Sequence, residues 1–135
     1  MQNQGLTEKA KRFFDLAQKH PKGRKLVHSL TWSQIVKFIV DDKVEFHLDV
    51  KRGEVKVLPG DIPKRDVESE FYEVSRVHTD GETLNELFEG KKDSVDAQYG
   101  DEALKVLPGG KYYVVTLVHQ LFRFGRQEIL EQKNA

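Results

Sequence analysis

The sequence predicts an α+β fold in which a β-meander lies between an amphipathic first helix and an apolar last helix. Three observations predict it. Apolar residues recur at helical spacing over residues 7–19, they recur again over 111–124, and between these segments, from Trp32 onward, the period is two. The chain has 135 residues, which is the length of one domain, and we expect a single domain over residues 1–135.

The first predicted helix covers residues 7–19. Thr7 is its expected N-cap, because threonine can accept a hydrogen bond from the first turn. Pro21 and Gly23 are expected to end the helix, and a short helical turn is expected at 24–30. The apolar stripe of the first helix consists of Leu6, Ala10, Phe13, Phe14 and Ala17.

The predicted meander covers residues 34–78. Residues 34–41 are apolar on both sides, which is typical of a central strand. A third strand is expected at 54–58 and a fourth at about 68–78, so that one face of an antiparallel meander is free to line a core. The second strand, at 43–51, alternates cleanly, and its apolar face carries Val44, Phe46, Leu48 and Val50.

The next helix is predicted at 79–89. Thr79 and Glu82 have the spacing of a capping box, and Gly90 is placed where a helix often ends. A short strand is expected at 103–107.

Residues 111–124 carry two conflicting signals. Their first residues favour a strand, but period two would place His119 on one apolar face and Gln120 on the other. We therefore predict a helix over 111–124 and a tail over 125–135, because packing overrides weak intrinsic propensities. The apolar stripe of this helix consists of Val114, Leu117, Val118, Leu121 and Phe122.

Charge and composition exclude several classes of function. The chain has 22 basic and 22 acidic residues, and this balance argues against nucleic acid as the main partner. It has no cysteine, which excludes disulfides and thiolate sites and agrees with a cytoplasmic location. No segment approaches the ~20 apolar residues that span a membrane, and the first residues lack the apolar region of a signal peptide.

The charges are unevenly distributed along the chain. Residues 1–30 carry seven basic and two acidic groups, whereas residues 61–102 carry five basic and thirteen acidic groups. Residues 103–135 are basic again, with five basic and two acidic groups. Either the ends pack against the acidic middle, or the basic first helix contacts an anionic membrane.

Catalytic and metal-binding patterns are weak. His47 and Asp49 share a strand face with Glu45, but an exposed polar face explains them better than a metal site. His119 has no carboxylate or nucleophile within one helical turn and is expected at a polar boundary. We expect neither a cofactor nor a bound metal.

The order of elements resembles the sterol carrier protein type-two lipid-transfer family. The similarity covers about residues 34–124 and is carried by the hairpin at 44–57, by the leucine-rich helix that Gly90 ends, and by the strand at 103–107 before the last helix. The family's usual Gly-x-Leu-x-x-x-Gly-Asp segment appears here only as residues 100–106.

The resemblance implies a five-stranded, mostly antiparallel sheet that helices cover on one face, with an apolar tunnel between them. It implies a protein that binds fatty acyl chains, sterols or phospholipids without altering them, with the last helix as a lid. The residue types alone do not separate such a tunnel from a dry core. The residues that we expect to contact the ligand are Phe38, Phe46, Leu48, Leu84, Phe88, Val118, Leu121 and Phe122.

Two other classes of function fit the sequence. One is an enzyme on a cone-shaped fold that resembles the ketosteroid isomerases, which would need a buried acid or tyrosine such as Tyr72, Tyr112 or Asp96. The other is an interaction module without a pocket, whose apolar residues form a core or the seam of a homodimer.

Overall fold

The protein has an α+β fold, as the sequence predicts. The computed structural model describes residues 5–62, 74–107 and 112–134. The strands are β1 (Gln34–Val40), β2 (Lys43–Lys51), β3 (Glu54–Pro59), β4 (Val74–Thr79) and β5 (Leu104–Leu107). The helices are α1 (Leu6–Lys19), α2 (Pro21–His28), α3 (Gly81–Phe88) and α4 (Tyr112–Asn134), with a π-helical turn at Asp96–Gly100.

The five strands form one sheet in the order β3-β2-β1-β4-β5. Neighbouring strands are antiparallel except for β1 and β4, which are parallel, so the sheet is mostly antiparallel. The predicted meander is therefore right for its first three strands and wrong for its fourth. The physical reason is that β1 is apolar on both faces. Pairing β4 with the free edge of β1 places β1 inside the sheet, whereas β3 stays at the edge. Residues 68–73 of the predicted fourth strand lie outside the described residues.

Alternate residues of the sheet face the helices and belong to one buried cluster. In β1, Val36, Phe38 and Val40 belong to this cluster, whereas Ile35 and Ile39 on the other face do not. Helices α1, α3 and α4 supply the opposite side of the cluster, so the helices cover one face of the sheet, as expected. The space between the sheet and the helices is called here the interior layer.

The helix starts differ from the predicted caps. Helix α1 begins after Gly5, whose φ is 84°, so Thr7 lies in the first turn and is not the N-cap. Pro21 is the first residue of α2, where its missing N–H is harmless, and it therefore starts a helix. The N-cap of α3 is Asp80, whose carboxylate accepts from the Thr83 N–H at 2.7 Å. The predicted capping box at Thr79 is wrong, because Thr79 is the last residue of β4.

The last helix is confirmed but is longer than predicted. It continues through residues 125–134, so the predicted tail is helical over that range. Gly125 has a packing role inside α4, since a Cβ there would lie 2.5 Å from Cζ of Phe13. Glycine thus allows α1 and α4 to approach each other closely, and it does not end the helix. In the described part of the chain, no helix is both long and apolar enough to cross a bilayer.

Candidate apolar binding site

The eight residues predicted to contact a ligand lie together in the interior layer. Each of them is at most 6% exposed. Strands β1 and β2 supply Phe38, Phe46 and Leu48, and helix α3 supplies Leu84 and Phe88. The remaining three lie on α4 and are Val118, Leu121 and Phe122.

Six phenylalanines fill the middle of this layer. Phe38 and Phe46 stack with ring centroids 4.7 Å apart, and Phe88 stacks on Phe122 at 6.1 Å. The other two rings come from α1, and one of them, Phe14, lies 5.6 Å from Phe122. Sequence reasoning assigned the α1 phenylalanines to an apolar stripe but not to the site, because a helical pattern does not reveal which partner the stripe meets. The six members of this phenylalanine cluster are Phe13, Phe14, Phe38, Phe46, Phe88 and Phe122.

An opening of about 470 Å³ leads from the surface to this cluster. It lies between α1, the end of α3 and the C-terminal half of α4, and it is called here the basic opening. Apolar side chains on its wall are Phe13, Leu16, Phe88 and Ile129. Its polar and charged residues are Lys9, Arg12, Glu89, Gln132 and Lys133.

The rim of the basic opening carries more positive than negative charge. Lys9 Nζ donates to Asn85 Oδ1 at 2.7 Å and lies 3.8 Å from Glu89. The Glu89 carboxylate pairs with Lys91 at 2.8 Å. Lys91 is also the main cause that lowers the pKa of Glu89, with smaller contributions from Lys9 and Lys133. The one carboxylate on the rim is thus held ionised beside three cations.

A second opening, of about 320 Å³, lies at the other end of α4, beside the segment that joins α2 to β1. None of its nine wall residues carries a formal charge, and it is called here the neutral opening. Trp32 packs edge-on against Tyr113 there, with ring centroids 5.0 Å apart. The wall consists of Leu26, Ser29, Leu30, Thr31, Trp32, Tyr113, Thr116, Leu117 and Gln120.

His47 is not on a solvated face, contrary to the sequence-based expectation. It is 4% exposed, and its Nδ1–H donates to the carbonyl oxygen of Gly60 at 2.7 Å. The loop after β3 therefore covers this histidine. Among the described residues, no three acidic or histidine side chains are grouped so that they could hold a metal ion.

His119 has a serine partner that sequence spacing did not reveal. Its Nδ1 lies 2.7 Å from Ser94 Oγ, and its Nε2 contacts Oε1 of Gln98. Because an amide oxygen only accepts, Nε2 carries the proton and Nδ1 accepts from the Ser94 hydroxyl. Burial lowers the pKa of His119 and favours this neutral form. Ser94 is only 3% exposed, so the trio ties the π-helical turn to α4 and does not present a nucleophile.

The residues that the isomerase-like alternative requires are not buried in a cavity where the structure describes them. Tyr112 is 77% exposed, and Asp96 is exposed on the π-helical turn. Tyr72 lies outside the described residues. The C-terminal element is a helix from Tyr112 onward, which also counts against a fold that ends in strands.

Comparison with known proteins identifies no family for this chain. No protein-family model matches the chain, and no curated protein matches it. Among solved structures, the chain is similar to the conserved hypothetical protein TT1886 of Thermus thermophilus, for which a sterol carrier identity is suggested. The TM-score is 0.49 at 15% identity, over 95% of this chain and 89% of that chain. At this level of similarity, we infer neither fold nor function from that protein.

Proposed function

We propose that this protein binds an apolar ligand, such as a fatty acyl chain, a sterol or a phospholipid, without altering it chemically. The ligand lies in the interior layer and contacts the eight residues predicted from the sequence. One observation carries the proposal: Phe13 and Phe88 belong both to the wall of the basic opening and to the phenylalanine cluster. The opening therefore leads directly to the layer in which the ligand is proposed to lie.

The size and the chemistry of the basic opening support this function. Its volume of about 470 Å³ is in the range of small-molecule sites. Burying about 200 Å² of apolar ligand surface at ~25 cal/mol per Å² gives about 5 kcal/mol, before the entropic costs of binding. Because the phenylalanine rings already fill the layer, the ligand must displace some of them. We propose that α4, which runs from one opening to the other, moves as the lid.

The rim charges support delivery of the ligand from an anionic membrane. Lys9 and Arg12 on α1 lie beside Lys133 on α4, next to apolar wall residues. A surface of this kind attracts anionic headgroups while its apolar part faces the acyl region. The alternative is that these charges serve only internal pairing. Transfer between vesicles that slows as ionic strength rises supports membrane contact, whereas transfer independent of salt contradicts it.

Native mass spectrometry of freshly purified protein tests the proposal directly. We expect one bound lipid per chain and displacement of a fluorescent fatty acid. Leu16→Trp should fill the basic opening and weaken uptake at least about tenfold, because the indole takes the space of the ligand. Val95→Trp is the matched control, since Val95 is 38% exposed and borders neither opening.

The outcomes of this experiment separate the classes of function. Protein that carries no lipid and leaves the fluorescent fatty acid unchanged contradicts the proposal. The same spectrum reports stoichiometry, so a homodimer without lipid would favour the interaction module. Uptake by Leu16→Trp that equals uptake by Val95→Trp and by the wild type would show that the basic opening is not the route.

A further inference from the structure

Gln34 is a buried polar residue in the otherwise apolar helix-facing side of the sheet. It is the first residue of β1 and shares a face with Val36 and Phe38, and its exposure is 0%. Its Nε2 donates to Ser75 Oγ at 2.8 Å and lies 3.4 Å from the carbonyl oxygen of Ile35. Its Oε1 has no hydrogen-bond partner and is alone in this among buried side-chain nitrogen and oxygen atoms of the described residues.

The orientation of this amide is assigned from its two oxygen neighbours, Ser75 Oγ and the carbonyl oxygen of Ile35. Rotating the Gln34 amide by half a turn would place Oε1 against the carbonyl oxygen of Ile35, and two acceptors repel each other. The free atom is therefore an acceptor. A buried acceptor that receives no hydrogen bond lowers the stability of the fold. We therefore expect a bound group that donates a hydrogen bond to it.

Ser75 offers the complementary group beside this acceptor. Its oxygen accepts from Gln34, and no hydrogen bond among the described residues takes its own hydroxyl proton. Gln34 and Ser75, which are hydrogen-bonded to each other, thus provide one free acceptor and one free donor among the described residues. An alcohol matches both, because its oxygen can donate and accept at once, whereas an ether oxygen only accepts.

The neutral opening lies at the segment that leads into β1, although neither Gln34 nor Ser75 is on its wall. Trp32 lines the opening and precedes Gln34 by two residues, a span of at most about 7 Å. Leu30 and Leu117 belong both to the wall of the opening and to the buried cluster, so the opening is continuous with the interior layer. A wall without charged residues suits a neutral head and gives an anionic one no partner.

We infer that Gln34 and Ser75 anchor the hydroxyl group of the ligand, so that the ligand class is a neutral apolar alcohol. This inference rests on the proposed function, since it concerns a ligand in the interior layer. The ligand hydroxyl donates to Gln34 Oε1 and accepts from the Ser75 hydroxyl. Its apolar body extends beneath α4 among the residues of the interior layer.

Two probes of equal size test the inference. 1-Dodecanol and 1-methoxyundecane have the same number of heavy atoms, but only the alcohol can donate a hydrogen bond. Trp32 is the only tryptophan of the chain and lines the neutral opening, so its fluorescence reports binding of either probe. We expect the wild-type protein to bind the alcohol about tenfold more tightly than the ether.

Variants at the pair should remove this preference and leave apolar binding intact. In Gln34→Leu and in Ser75→Ala, we expect the ratio of the two dissociation constants to fall to about one. Gln127→Leu is the control, because Gln127 is exposed on α4 and lines neither opening. A thermal melt establishes that each variant folds, and the two pair variants give independent readings of the same ratio.

The result that overturns the inference differs from the result that overturns the proposed function. Equal affinities for the two probes in the wild-type protein, as a trapped water at Gln34 would give, overturn the inference alone. A preference for the alcohol that persists in both pair variants also overturns it. If neither probe binds and the purified protein carries no lipid, the proposed function fails and the inference fails with it.

Discussion

The two openings at the ends of α4 have similar apolar walls but differ in charge. The basic opening combines Phe13, Phe88 and Ile129 with three cations and one carboxylate. The neutral opening combines Leu30, Trp32 and Leu117 with hydroxyl and amide groups only. Both share residues with the buried cluster, so each adjoins the same interior layer.

This difference indicates a division of roles. The basic opening can meet an anionic membrane, because its cations lie next to apolar surface. The neutral opening has no charged residue to attract such a surface, but Trp32 on its wall lies two residues before Gln34, and we infer that Gln34 and Ser75 hold a hydroxyl group. The proposal is therefore that ligands enter at one end of α4 and are recognised at the other.

The largest expected effect comes from removing the ring between the two openings. Phe122 is 2% exposed and lies within 6.3 Å of the rings of four other phenylalanines. Phe122→Ala should lower the free energy of unfolding by about 3–5 kcal/mol, because it leaves a cavity in a packed layer. Chemical denaturation measures this, with Tyr112→Ala as an exposed control that should stay within about 0.5 kcal/mol. A loss under about 1 kcal/mol for Phe122→Ala would indicate that the layer is loosely filled.

Neutralising the basic rim should have the next largest effect. The triple variant Lys9→Gln, Arg12→Gln and Lys133→Gln removes all three cations of the basic opening. At about 1 kcal/mol per charge near an anionic surface, binding to vesicles rich in phosphatidylserine should weaken by about 3 kcal/mol at low salt. Vesicle co-sedimentation measures this.

The control for the rim variant removes the same charge elsewhere. Lys11, Arg24 and Lys25 are exposed and belong to neither opening. If their replacement by glutamine weakens vesicle binding as much as the rim variant does, membrane contact depends on overall charge. The contrast between the two openings would then have no functional meaning for the membrane.

A smaller effect is expected where α1 and α4 approach each other. Gly125→Ala places a methyl group against the Phe13 ring beside the basic opening. Overpacking should cost about 1–3 kcal/mol, and the better helix propensity of alanine should return about 1 kcal/mol of this. Gly100→Ala is the control, because a Cβ at that position would have no other heavy atom within 4 Å. A Gly125→Ala protein as stable as wild type would show that Phe13 can move aside.

The smallest effect concerns pH and His119, next to Gln120 of the neutral opening. Because the pKa of His119 is lowered in the folded protein, the unfolded chain binds more protons near and below pH ~6.5. The contribution of His119 to the free energy of unfolding should therefore be fully present above that pH and should be lost as the pH falls through it. His119→Gln should flatten this decline in denaturation midpoints between about pH 7.5 and 5.5. An unchanged slope in His119→Gln would assign the decline to other groups.

Much of the fold could be predicted from the sequence because its signals are local. The alternation in residues 43–51 places Phe46 and Leu48 on the core face, as the structure confirms. The 3.6-residue spacing of Leu117, Val118 and Leu121 identifies α4 as a helix despite its valines and tyrosines. The same patterns identified residues of the interior layer, since apolar side chains at regular spacing are buried wherever an element packs.

Other features depended on contacts between distant residues. The predicted helix ends at residue 124, and only the close approach of Gly125 to Phe13 explains why a glycine lies inside the longer helix. The Ser94 partner of His119 is 25 residues away, and no spacing rule links the two. The unpartnered Oε1 of Gln34 and its Ser75 neighbour likewise depend on the pairing of β1 with β4, which are far apart in the sequence.

The sequence by itself determined the α+β class, the apolar faces of the elements and the basic character of the first helix. Periodicity and charge are properties of short segments, so they can be observed without knowing which segments meet. Tertiary structure alone decided that β4 lies parallel to β1, that six phenylalanines meet in one layer, and that the two ends of α4 carry different openings. These features depend on which surfaces pack together, and that choice minimises the free energy of the whole chain at once.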